Sequence, residues 1–149
     1  MHIQSLLTPG RTVCGVEGES KKHALEILAN IIAKDIPTID ADDLFRRFMA
    51  RERLGSTGIG HGIAIPHCRT NQCTSAVGAL ITLTHPVSFD AIDSRPVDIL
   101  FAMLVPEDAH KEHLENLAAL AAVLNNNHLR EHLRSAKTND ELYQTSISE

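Results

Sequence analysis

Tryptophan is absent from this chain, and aromatic residues of all kinds make up only 3% of it. A surface that stacks nucleic-acid bases needs aromatic platforms, so that class of function has little to build on. No basic run exceeds a dipeptide, and the formal net charge is -5 with His neutral. The basic footprint of a nucleic-acid binder is therefore missing as well. Cysteine is scarce. Cys14, Cys68 and Cys73 are odd in number and none belongs to a Cys-x-x-Cys pair, which excludes a disulfide framework and points to a reducing, cytoplasmic setting. No apolar run reaches the length of a membrane span. The opening MHIQSLLTPGRTV lacks a charged stretch followed by a long apolar one, so neither membrane insertion nor a secretory signal is expected.

The 149 residues, 43% apolar and 22% charged, suit one globular domain over 1–149. Ser20 precedes KKHALEILANIIAK, whose Ala24, Leu25, Leu28, Ile31 and Ile32 recur at helical spacing. Asp40 precedes ADDLFRRFMARERL, with acids in the first turn and Arg51 and Arg53 in the last, matching the helix dipole. Thr12–Cys14, Gly62–Ile65, Ala76–Thr84 and Val97–Val105 read as strands, with Val87 and Phe89 in a brief edge segment. Helices are expected over about 109–124 and 128–135. A capping box at Thr138–Glu141 opens a last one. The near-continuous apolar strands imply a sheet covered on both sides. The fold class is therefore α/β, a single domain with a mixed sheet of about five strands and helices on both faces.

Half of the eight glycines lie between Gly55 and Gly62, in GSTGIGHGIAIPH. Glycines let main-chain N–H groups approach a ligand closely, and clustered N–H groups suit anions. Pro66 fixes its own φ and biases Ile65 toward extended geometry, so His67 leaves the chain on a stiff mount. A neutral imidazole is a nucleophile near pH 7. It can take up a phosphoryl group, whose oxygens then need donors. Arg51 and His113 are candidates for that role. From spacing alone, His67 also fits a structural histidine and Arg51 a solvated dipole partner, and nothing singles His113 out among nine histidines. The run is not Gly-x-Gly-x-x-Gly, and no Gly-Lys-Ser/Thr follows it. His110/His113 and His128/His132 are helical-face pairs, but no further ligands complete a zinc site. No metal and no cofactor is implied.

RERLGSTGIGHGIAIPHCR resembles the active-site signature of the enzyme IIA proteins of the bacterial phosphotransferase system, mannitol/fructose class, and most of all their nitrogen-regulatory branch. SKKHALEILANIIAK, VSFDAIDSRPVDILFAMLVPED, HKEHLENLAAL and NDELYQ match further blocks of that family in order, so the likeness spans about residues 20–144. The resemblance implies a mixed sheet flanked by helices. It implies a phosphoryl acceptor at His67 Nε2, with His113 and Arg51 stabilising the phosphoryl group. It also implies a histidine phosphocarrier protein of the nitrogen branch as donor. In that branch the output is regulation of partners such as potassium-transport components and sensor kinases. In sugar-transport relatives the group passes to a IIB domain instead. With no IIB or membrane segment in the sequence, the regulatory branch is the expectation. His61 and Cys68 depart from the family pattern, placing a third imidazole near the site and a thiol beside the nucleophile, the latter with an expected sensitivity to oxidation.

Overall fold

Ser20, Asp40, Asn126 and Thr138 each precede a helix, and each side chain accepts a hydrogen bond from the backbone N–H three residues on. A cap of this kind is worth about 1 kcal/mol. The four helices are α1 (Lys21–Asp35), α2 (Ala41–Arg53), α4 (Asn127–Ser135) and α5 (Asn139–Ile147), with α3 (His110–Leu124) following the last strand. The box at Thr138 closes one residue early: Glu141 accepts from the N–H of Lys137. The computed structural model describes residues 2–148, apart from the side chains of His110, Glu112 and His113.

Among the described residues six strands form one mixed sheet: β1 (Thr12–Val16), β2 (Gly58–Gly60), β3 (Ile63–Ala64), β4 (His67–Thr70), β5 (Val77–Val87) and β6 (Val97–Pro106). The order is β1-β5-β6-β3-β2, and β4 also pairs with β6. Alternation along β6 splits the core in two. Leu100, Ala102 and Leu104 pack with Leu25, Leu28 and Phe48 of α1 and α2. Phe101, Met103 and Val105 pack with Leu120, Leu133 and Leu142 of α3, α4 and α5. Both faces of the sheet are thus covered by helices.

Three details depart from the sequence reading. The strand expected over 62–65 and the residues after it form one interrupted line beside β6, β3 then β4. Both run parallel to β6 in the same register, Ile63 opposite Ile99 and His67 opposite Met103. The ladder is interrupted at Ile65-Pro66, and Met103 N–H donates to Pro66 O at 2.9 Å. Gly58–Gly60 pairs with β3 as a short antiparallel strand, although glycine is a poor strand former. β5 runs three residues past Thr84. Its pairing is irregular between Thr82 and Val87, which accommodates Pro86, a residue with no N–H to give.

Candidate functional site

The interruption at Ile65-Pro66 sets the position of His67. His67 is the first residue of β4, and β4 pairs only with β6 among the described residues. Opposite Met103, His67 lies on the α3 side of the sheet, whereas Cys68 turns into the α1/α2 cluster. The imidazole is half-buried. Its Nδ1 lies 2.8 Å from Ile65 O. Its Nε2 accepts a hydrogen bond from Arg51 Nε at 3.2 Å. A guanidinium only donates and a carbonyl only accepts. The two bonds therefore agree on one neutral tautomer, with the proton on Nδ1 and the lone pair on Nε2. Burial lowers the His67 pKa from its ordinary value, and the Arg51 charge adds to that. The bond to Ile65 O and the Glu52 carboxylate pull the other way.

Arg51 occupies the last turn of α2, and its Nη1 donates to Gly55 O at 2.9 Å. The bland reading of Arg51 as a helix-end cation is thus only half of its role, since Nε is spent on His67. His113 falls in the first turn of α3. Its side chain lies outside the described residues.

Four N–H groups of the glycine run are already engaged within the protein. Gly55 N–H donates to Glu52 O, Thr57 N–H to Glu52 Oε1, Gly58 N–H to Ser56 Oγ and His61 N–H to Asp93 Oδ2. Gly58 and Gly62 answer to packing. A Cβ on Gly58 would stand 2.7 Å from Ala91 Cβ and 3.0 Å from Ala91 Cα. Gly62 holds φ +80° beneath the Arg134 guanidinium.

His61 is held by its backbone. It sits in the turn between β2 and β3 at φ +57°, its N–H bonded to Asp93 and its carbonyl to Arg134. Burial pushes the Cys68 thiol up to about 12, so the thiolate that oxidation requires is suppressed. The His128 and His132 rings touch edge-on at 4.0 Å. Among the described residues no three potential ligands gather as a metal centre.

One functional neighbour escaped the sequence reading. Glu52, between two arginines, is buried, accepts from Thr57 N–H at 2.9 Å and from Thr57 Oγ1 at 2.6 Å, and pairs with Lys21 Nζ at 2.9 Å. The available signal was electrostatic, because an acid in the last turn of a helix opposes the dipole and needs another reason to be there.

Exposed apolar side chains flank the loop that Arg51 holds. Leu54 is 84% and Ile92 is 86% exposed. Ile59 and Ile92 share a shallow depression of about 450 Å³ with Ser56, Gly58 and Asp90. A larger cavity of about 800 Å³, lined by His128, Leu129 and Gln144, shares no residue with the His67 site. Among the described residues no helix is long and apolar enough to cross a membrane.

Comparison with known proteins identifies the family. The family model described as "Phosphoenolpyruvate-dependent sugar phosphotransferase system, EIIA 2" matches residues 5–148. A nitrogen regulatory protein of Pseudomonas aeruginosa is 51% identical over 147 residues, covering 99% of this chain and 96% of the relative. The crystal structure of nitrogen regulatory protein IIA-Ntr from Neisseria meningitidis superposes with a TM-score of 0.88 at 38% identity, covering 96% of this chain and 97% of that one. The mannitol IIA of Escherichia coli, solved in complex with phosphorylated mannitol IIB, has the same fold with a TM-score of 0.77 at 16% identity, covering 96% and 98%. The chain belongs to the EIIA 2 family of the phosphoenolpyruvate-dependent sugar phosphotransferase system.

Proposed function

We propose that His67 accepts a phosphoryl group on Nε2 from a histidine phosphocarrier protein of the nitrogen branch, and that the phosphorylated and unphosphorylated chains bind different regulatory targets. The observation that carries this reading is the pair of bonds on the imidazole, Nδ1 to Ile65 O and Nε2 to Arg51 Nε. They leave the nucleophilic lone pair on the nitrogen that faces a cation.

The Nε2 lone pair attacks phosphorus. The Nε2–P bond forms as the N–P bond of the donor breaks, and that electron pair returns to the donor's ring nitrogen. His67 keeps its proton on Nδ1, shared with Ile65 O, so the positive charge that develops on the ring is stabilised by a carbonyl. Arg51 gives up its bond to Nε2 and turns its donors to the phosphoryl oxygens, where charge is spread during transfer. His113, assigned by family resemblance, supplies a further donor from α3.

The donor docks on the apolar side chains around the loop, Leu54, Ile59 and Ile92. Phosphorylation adds a charge of about -1.5 to -2 beside that surface. A target that tolerates the apolar face alone is then repelled, and a target with basic groups is favoured. This electrostatic change is the physical basis of regulation, with potassium-transport components and sensor kinases as the targets that the family resemblance implies.

A sugar-uptake role, with transfer onward to a IIB domain, is the competing reading. The mannitol IIA solved with phosphorylated IIB shares the fold, but the 51% identity to a nitrogen regulatory protein favours regulation. Incubation with phosphoenolpyruvate, enzyme I and each phosphocarrier tests the proposal. The expected result is one acid-labile, alkali-stable phosphoryl group, acquired fastest from the nitrogen-branch carrier and not passed to a sugar-specific IIB. Efficient transfer to such a IIB establishes the competing reading instead.

A further inference from the structure

A line of hydrogen bonds leads from His67 to a buried acid that has no contact with the reacting nitrogen. His67 Nδ1–H donates to Ile65 O at 2.8 Å. The N–H of the same Ile65 donates to Thr57 O at 3.0 Å. Thr57 is gripped twice by Glu52, through its N–H at 2.9 Å and its hydroxyl at 2.6 Å. Glu52 is 8% exposed and Thr57 4%. Lys21 Nζ lies 2.9 Å from Glu52 Oε1 and 4.9 Å from the centre of the Phe89 ring.

The need for such a grip follows from the sequence between its ends. From Thr57 to Ile65 the chain reverses through Gly58, Gly60 and Gly62, with His61 at positive φ. This stretch has little stiffness of its own. Downstream, Pro66 and the bond from Met103 N–H fix the far side of Ile65. Upstream, among the described residues, the only rigid body that holds Thr57 by its side chain is α2, and it does so through Glu52. That same helix carries Arg51 one residue earlier. One element thus presents the cation to Nε2 and, by the other route, anchors the carbonyl that faces Nδ1. A carboxylate in the last turn of a helix is unfavourable for the helix and costly to desolvate. An apolar side chain would fill the space but would release both bonds to Thr57.

We infer that Glu52 is a positioning residue for His67: by clamping Thr57 it sets where the Ile65 carbonyl lies, and so which ring nitrogen carries the lone pair. This rests on the reading of His67 Nε2 as the phosphoryl acceptor, and it is testable apart from it. Glu52 touches no reacting atom: its charge reaches the ring only as a field, which Thr57→Val leaves in place, and its positioning role runs through Thr57 and Ile65.

The test reads the tautomer directly. Long-range proton–nitrogen-15 spectra of the unphosphorylated protein distinguish an imidazole protonated on Nδ1 from one protonated on Nε2. Wild type is expected to show Nδ1 protonated. Glu52→Leu, which keeps bulk and removes both acceptors, is expected to raise the other tautomer and to slow phosphoryl acceptance by about tenfold or more, the scale seen when an orienting partner is lost. Should that protein not fold, Thr57→Val carries the test by removing the 2.6 Å bond, with the same direction of change. A folded variant that retains the wild-type tautomer and the wild-type rate overturns the inference. The spectra need no phosphoryl donor. If His67 of the wild type takes up no phosphoryl group, the functional reading fails while the tautomer comparison still decides the role of Glu52.

Discussion

Arg51 Nε and His67 Nε2 stand 3.2 Å apart across sixteen residues of sequence. The contact joins the end of a helix to the start of an edge strand. It has a chemical consequence, since the arginine has only a proton to offer and the imidazole must receive it on Nε2. The opposite nitrogen is committed to Ile65 O. Two separate bonds therefore specify one tautomer.

Replacing Arg51 by Ala is predicted to slow phosphoryl acceptance by about 100-fold, the scale of losing one preorganised donor to developing charge. The thermal stability should change by less than about 1 kcal/mol, because the side chain is half-exposed and its other bond is to Gly55 O on the surface. Initial labelling rates and melting curves on the same preparations check both halves. A collapse in stability with an unchanged rate would return Arg51 to a helix-end role.

The pH dependence has a definite sign. Burial lowers the His67 pKa, with the Arg51 charge in support, so the native ring binds a proton less readily than the unfolded one. Its contribution to stability is fully present above the unfolded value of about 6.5 and is lost as pH falls through the lowered native value. An NMR titration of the His67 ring should give a midpoint below that of a free imidazole. In Arg51→Ala the midpoint should rise, since a neighbouring cation has been removed.

Lys21→Met should destabilise the domain by about 1–3 kcal/mol. Glu52 would keep its two bonds from Thr57 but lose the cation that compensates its charge. The effect falls below the 3–5 kcal/mol of a fully buried pair because the Lys21 side chain is 21% exposed. Chemical denaturation of the two proteins measures it.

Gly58→Ala should cost about 1–3 kcal/mol by overpacking against Ala91, whose Cα is backbone and cannot swing aside. The melting temperature checks this. Unchanged stability would mean that the loop at Ala91 yields easily.

Much of the fold was legible because its determinants are local. Ser20, Asp40 and Thr138 each proved to be caps, and the apolar run at 97–105 became the strand that divides the core. Gly58–Gly60 and His67–Thr70 were not legible as strands. Their pairing is created by β3 and β6, not by their own propensity. At the site, Pro66 and His67 stood out in the sequence and Arg51 was a candidate, but the contact between Arg51 and His67 is long-range. Glu52 was passed over because its partners, Thr57 and Lys21, are joined to it only by the fold. Gly58 and Gly62 were legible as special but not for their reason, which is the close approach of Ala91 and Arg134.

The account stands most directly on mass spectrometry of intact and digested protein after incubation with phosphoenolpyruvate, enzyme I and the nitrogen-branch phosphocarrier. It predicts one phosphoryl group on the wild type, located at Nε2 of His67 and absent from His67→Ala. Labelling of His67→Ala on another histidine to the wild-type extent would contradict it.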